Sequence, residues 1–185
     1  LPILNEQAFH FFYNLANKYW LLNWFFIFIA QHLPYLLAIF FIGLIFWGYK
    51  KGKDRLYYIL LTSFSLLAAR GLFVEVIRFF YPNPRPFKAL GLEPLIDPIM
   101  TSSFPSGHAT VLFALATLVY FINKKFFWHF TGAAVLVSLG RIIVGVHWPL
   151  DILVGAALGV TVVLVARRLL PYSFGEGYNK KIWNS

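Results

Sequence analysis

Long apolar stretches separated by short polar punctuation dominate the chain, and their lengths suit membrane crossing. Residues 56–80, 126–146 and 149–170 are each long enough to span a bilayer as an α-helix. The run ATVLFALATLVYFI at 109–122 supplies a fourth crossing. Near the N-terminus, residues 20–31 are apolar but too short to cross, and Gln31, His32 and Pro34 interrupt them before a second run. The pattern favours a short half-helix followed by a first true span at 33–48. Residues 5–19, NEQAFHFFYNLANKY, alternate aromatic and polar positions in a helical rhythm and predict an interfacial amphipathic helix. The expected fold is all-α: a polytopic transmembrane helix bundle of about five spans, six if residues 20–31 cross on their own. The N-terminal amphipathic segment covers about 5–31.

Composition strengthens that reading. Of 185 residues, 59% are hydrophobic and only 12% charged, which exceeds what the core of a soluble domain requires. The length suits one integral-membrane domain over 1–185. A net charge of +9 raises the question of nucleic acid, but the basic residues sit in short loops and at helix ends, so they are read as topology signals and no nucleic-acid partner is expected. Lys50, Lys51, Lys53, Arg55, Lys124, Lys125, Arg167, Arg168, Lys180 and Lys181 fall on one side, ten of the sixteen Lys and Arg residues. That side is expected to be cytoplasmic, together with the polar tail 171–185. The chain contains no Cys, so it offers neither disulfides nor thiolate ligands. Its opening, LPILNEQ, lacks the pattern of a cleavable signal, so the spans themselves are expected to carry insertion.

Charges inside apolar spans need partners or a task. Arg70, Glu75 and Arg78 fall within the span at 56–80, and Arg70 with Glu75 reads equally well as a neutralising pair. Arg78 is followed by YPNPRPF, a stiff basic loop containing Arg85, and then by the one long connection, 87–104. Pro105-Ser106-Gly107-His108 opens the next helix, where Ser106 suits the cap and the backbone N–H groups suit an anion. RIIVGVHWPLD, from Arg141 to Asp151, places His147 at a helix entrance. Pro149 suits the first helical turn and holds Trp148 extended. Asp151, four residues after His147, can then orient one imidazole nitrogen while the other faces outward. Alternating spans put all three stretches on one membrane face, opposite the basic loops. Three Arg, two His, one Asp and a helix N-terminus converging there suit a tetrahedral oxyanion.

These residues resemble the type 2 phosphatidic acid phosphatases, membrane lipid phosphatases whose site is similar to that of vanadium haloperoxidases. The family's Lys, six residues, Arg-Pro is similar to Arg78 through Arg85-Pro86, with Arg replacing Lys. Pro105 to His108 reproduce Pro-Ser-Gly-His in full. Arg141, His147 and Asp151 match the third motif, although Gly140 stands where the family has Ser. The five-span layout resembles bacterial members that act on undecaprenyl diphosphate, phosphatidylglycerol phosphate or the 1-phosphate of lipid A. The resemblance implies a hydrolase in which His147 attacks phosphorus, Asp151 orients it and His108 serves as acid, then base. Arg78, Arg85, Arg141, Ser106 and the Gly107 backbone would hold the phosphoryl oxygens. No metal and no cofactor is implied, and the partners are a lipid phosphate and the surrounding membrane lipids. In a bacterium the site would face the periplasm across the inner membrane. A competing expectation is a non-enzymatic membrane subunit that uses His108 and His147 to bind haem or a lipid phosphate; haem ligation leaves the arginines without a task.

Overall fold

The computed structural model describes residues 2–16, 18–49, 52–97 and 101–170, so the basic pair Lys50–Lys51 and the tail 171–185 lie outside the described residues. Seven helical stretches organise the description. They are α1 (Pro2–Tyr13), α2 (Trp20–Gly48), α3 (Gly52–Phe80), α4 (Pro86–Leu90), α5 (Gly107–Ile122), α6 (Lys124–Ile143) and α7 (Pro149–Leu169). Four of them, α2, α3, α6 and α7, are long and apolar enough to cross a membrane. The shorter α5 is the apolar helix at the centre of the bundle, with buried residues on every side of it. The chain is therefore a polytopic helical membrane protein.

The start of the bundle differs from the sequence expectation. Residues 20–48 form one continuous 29-residue helix, not a half-helix followed by a separate span. At the helical rise it is about 44 Å long, enough to cross with some tilt. Pro34 does not break it: a π-turn over Phe28–His32 ends two residues before the proline. A proline has no N–H to offer the carbonyl four residues back and crowds it sterically; here that carbonyl belongs to Ala30. The wider turn gives the ring room, and the carbonyl finds another donor described below. Residues 20–31, expected in the N-terminal amphipathic segment, therefore belong to the first long helix, and α1 precedes it.

Two small residues set how closely α5 and α7 approach. A Cβ on Gly155 would lie 2.6 Å from the Ser106 carbonyl oxygen, and one on Gly159 would collide with the carbonyl of Thr110. The four-residue spacing of these glycines lets the start of α7 close against the start of α5. The Ser106 N–H donates to the Asp151 carbonyl at 3.0 Å, which ties the two helix entrances together.

At the far end, Tyr58 Oη donates to the Phe121 carbonyl at 3.2 Å. Arg167 lies over the Phe121 ring at 3.6 Å, and the Tyr49 and Tyr58 rings stack at 4.7 Å. The described basic loop residues cluster at this end, and the polar motifs occupy the other.

α1 is fastened to the motif end. Phe9 is fully buried against Trp148, their ring centroids 5.2 Å apart. Asn5 Oδ1 accepts the Leu150 N–H at 2.9 Å, satisfying a donor in the first turn of α7 that the helix itself leaves open. Tyr13 Oη donates to the Glu93 carbonyl at 2.8 Å and so holds the long loop. Gly145, at φ +86°, turns the chain between α6 and α7 beneath the Tyr13 ring. A side chain there would be strained by the backbone alone.

Candidate active site

The third motif builds its geometry from the start of α7. Trp148 is extended (φ −76°, ψ 152°) before Pro149, and Asp151 turns back to cap the helix by accepting the Trp148 N–H at 2.9 Å. The same oxygen, Oδ2, lies 3.2 Å from His147 Nδ1. Both side chains are almost wholly buried. With Nδ1 committed to the carboxylate, Nε2 is the nitrogen left for chemistry, and the backbone bond fixes where the carboxylate can be. Burial, reinforced by Arg141 and Arg85, holds the His147 imidazole well below its ordinary pKa, so the ring is neutral at physiological pH. A neutral ring retains the lone pair that a nucleophile needs.

Arg85 comes from the stiff proline loop. It is 4% exposed, and its Nη1 donates to the Val146 carbonyl at 2.9 Å, directly before His147. Its Nε donates to the Thr101 carbonyl at 3.1 Å. Burial and then the neighbouring Arg78 lower its pKa to about 10, which still leaves it protonated at neutral pH. Trp148 Nε1 donates to the Pro84 carbonyl at 3.0 Å, a second tie between the loop and the third motif.

Arg141, at the end of α6, supplies the donor for the carbonyl that Pro34 leaves open: its Nη1 donates to Ala30 O at 3.4 Å. Its Nε and Nη2 are buried without an acceptor. Gly140 explains how α2 comes so near, because a Cβ there would lie 2.9 Å from Ile29 Cγ2 and 3.5 Å from the Ala30 nitrogen. The π-turn of α2 occupies the space where a larger residue at 140 would extend. Arg78 donates from Nη2 to the Pro105 carbonyl at 3.2 Å, while its buried Nε lacks a partner.

One cavity of about 320 Å³ gathers these groups. Arg78, Arg85, Gly107, His108, Arg141 and His147 all line it, so residues far apart in sequence meet there. Asp151 stands behind His147. Ser106 does not line the cavity; its fully buried side chain caps α5 by accepting the Ala109 N–H at 3.4 Å. The sequence reading missed three contributors. Tyr35 and Ala38 of α2 and Val111, Leu112 and Leu115 of α5 form an apolar wall, and the Ala30 carbonyl anchors Arg141. Arg70 also lines the cavity while pairing with Glu75. The proline in α2 was the available signal for the carbonyl; the apolar wall carries none that sets it apart from ordinary span residues.

The electrostatics are unbalanced as the site stands. Cations are favoured at the C-terminal ends of helices, yet four guanidinium groups gather where α5 begins, at its positive end. Each buried donor without an acceptor costs about 1–3 kcal/mol. A tetrahedral anion relieves both problems at once.

This fold and this site define a membrane phosphatase, and comparison with known proteins places it: the chain belongs to the PAP2 superfamily, whose family pattern matches residues 56–174. It is 33% identical over 159 residues to the bacitracin transport permease protein BcrC of Bacillus licheniformis, covering 85% of this chain and 76% of that one. It is 27% identical over 173 residues to the undecaprenyl-diphosphatase BcrC of Bacillus subtilis, covering 94% and 85%. Among solved structures, LpxE of Aquifex aeolicus superposes with a TM-score of 0.67 at 29% identity, over 89% of this chain and 95% of that one.

Proposed function

We propose that this phosphatase hydrolyses a prenyl lipid diphosphate at the membrane interface through a phosphohistidine. The observation that carries the reading is the cavity itself, in which the His147–Asp151 pair faces arginines with unmet hydrogen-bonding capacity beside an apolar wall. His147 Nε2 attacks the terminal phosphorus as the bond to the leaving oxygen breaks, and Asp151 stabilises the cation that forms on the ring. His108 gives its proton to the leaving oxygen. A water then attacks the phosphorus and gives a proton to His108, and the P–N bond electrons return to His147, which releases inorganic phosphate. Arg78, Arg85 and Arg141 counter the charge on the phosphoryl oxygens, the task on which phosphoryl transfer mainly depends. Two relatives named for undecaprenyl diphosphate, from Bacillus subtilis and Sulfolobus acidocaldarius, support that lipid among the candidates. Lipid A 1-phosphate and phosphatidylglycerol phosphate follow.

The test is phosphate release by purified protein from undecaprenyl diphosphate, phosphatidylglycerol phosphate and lipid A, with a metal chelator present. We expect turnover of the diphosphate to be fastest and insensitive to chelation. Absence of release from all three would overturn the proposal, and a Soret band in the purified protein would favour the haem-binding alternative.

We further propose that the site faces the periplasm, since basic loops are retained inside. The chain contains no Cys, so single replacements are clean reporters. Gly52→Cys and Glu93→Cys lie at opposite ends of the bundle, both exposed. An impermeant thiol reagent should label only Glu93→Cys in intact cells. Labelling of Gly52→Cys alone would invert the orientation.

A further inference from the structure

Arg70 belongs to none of the three motifs, yet it shares their cavity. It sits eight residues before Arg78 on α3, about 12 Å further from the motif end of the helix at the α-helical rise. A π-turn over Leu67–Phe73 carries it, and such turns set a side chain off the phase of the surrounding helix. The side chain lies across the first residue of α5, since a Cβ on Gly107 would be 2.5 Å from Arg70 Nε. Its partner is Glu75, which also reaches Arg78 at 3.4 Å.

Neutralising Glu75 does not by itself account for Arg70 lying against Gly107 and lining the cavity. The Arg70 and Glu75 side chains are 41% and 51% exposed, on a helix read as crossing the membrane. An exposed ion pair adds little stability in water, and a charge inside a span is costly. Placing Arg70 against the positive end of α5 adds a further penalty. Meanwhile the motif arginines already supply enough guanidinium groups for one phosphoryl unit. The Arg70 backbone lies further along α3 from the motif end than that of Arg78, and its side chain lines the cavity together with Val111, Leu112 and Leu115.

We propose that Arg70 binds the inner phosphate of a lipid diphosphate, the one that leaves attached to the tail, and that Glu75 holds Arg70 and Arg78 in place until the substrate displaces it. The inference rests on the phosphatase reading above and adds a residue that sets preference for diphosphate over monophosphate. As the bond to the terminal phosphorus breaks, negative charge grows on the inner phosphate, so Arg70 acts more strongly in the transition state than on the bound substrate. A monophosphate has no group at that position.

Farnesyl diphosphate and farnesyl monophosphate carry the same tail and isolate the effect. In the Arg70→Ala protein, kcat/KM for the diphosphate relative to the monophosphate should fall at least tenfold, chiefly through kcat. Arg70→Lys should recover part of that ratio because the charge persists. An equal fall on both substrates would mark Arg70 as merely structural and overturn the inference while leaving the phosphatase reading intact. An unchanged ratio would overturn it likewise. Failure of the unaltered protein to release phosphate from either compound would overturn the phosphatase reading and this inference with it.

Discussion

Replacement of His147 by Ala should abolish phosphate release and eliminate any covalent phosphoenzyme, a loss on the order of 10⁴-fold or more by analogy with removal of other enzymatic nucleophiles. The expectation follows from geometry. Nδ1 is held by Asp151 at 3.2 Å, the ring is neutral, and the remaining nitrogen belongs to a residue lining the cavity. His108 lines the same cavity from the first turn of α5 without a carboxylate at that spacing, which suits proton transfer. His108→Ala should therefore slow turnover by about 10²–10⁴-fold and let the phosphoenzyme accumulate when the leaving group needs no proton. Asp151→Asn should be less damaging than His147→Ala, since the nucleophile remains. Rapid quench with a radiolabelled substrate, followed by acid and base treatment, reads all three. An acid-labile, base-stable adduct in the His147→Ala protein would refute the assignment.

Arg141→Ala should lower kcat by about 10²–10³-fold, the usual cost of losing one preorganised donor to a developing oxyanion. Arg141 has a second role, because its Nη1 holds the Ala30 carbonyl left open by Pro34. The variant should therefore also lower thermal stability, whereas Arg85→Ala should uncouple the proline loop from the Val146 carbonyl without disturbing α2. Arg78→Lys should be the mildest change among the arginines. Lysine keeps the positive charge beside the Pro105 carbonyl that Arg78 Nη2 now reaches, though the fork geometry is lost. Steady-state kinetics alongside thermal unfolding in detergent separates these effects. A Lys variant at 78 as inactive as the Ala variant would remove Arg78 from the phosphate site.

The sequence revealed the local geometry of the third motif because proline and a carboxylate at fixed spacing constrain it strongly: Trp148 is extended, Pro149 opens α7, and Asp151 reaches back to His147 as expected. The close approach of α5 and α7 was likewise legible in Gly155 and Gly159. The first span was not. Pro34 signals a break, and only the tertiary structure shows that a π-turn and a distant arginine accommodate it. Ser106 carried two readings, a helix cap and a phosphate ligand, because one hydroxyl suits both; the structure shows the cap. Arg70 was readable as the partner of Glu75, which it is, but its place in the cavity depends on a π-turn that shifts the phase of α3. The role of Asn5 was hidden for a different reason: it caps a helix 145 residues away.

The apolar wall of the cavity bears on what this protein can distinguish. Ala38, Val111, Leu112 and Leu115 offer a smooth surface without hydrogen-bonding groups, and the volume is far too small to enclose a long polyprenyl chain. On the lipid-diphosphate reading proposed above, most of such a tail would stay among the surrounding acyl chains, and its length and the pattern of its double bonds would go largely unmeasured. Recognition is concentrated in the few ångströms around the headgroup. The same site would then serve lipid phosphates whose tails differ in length or saturation.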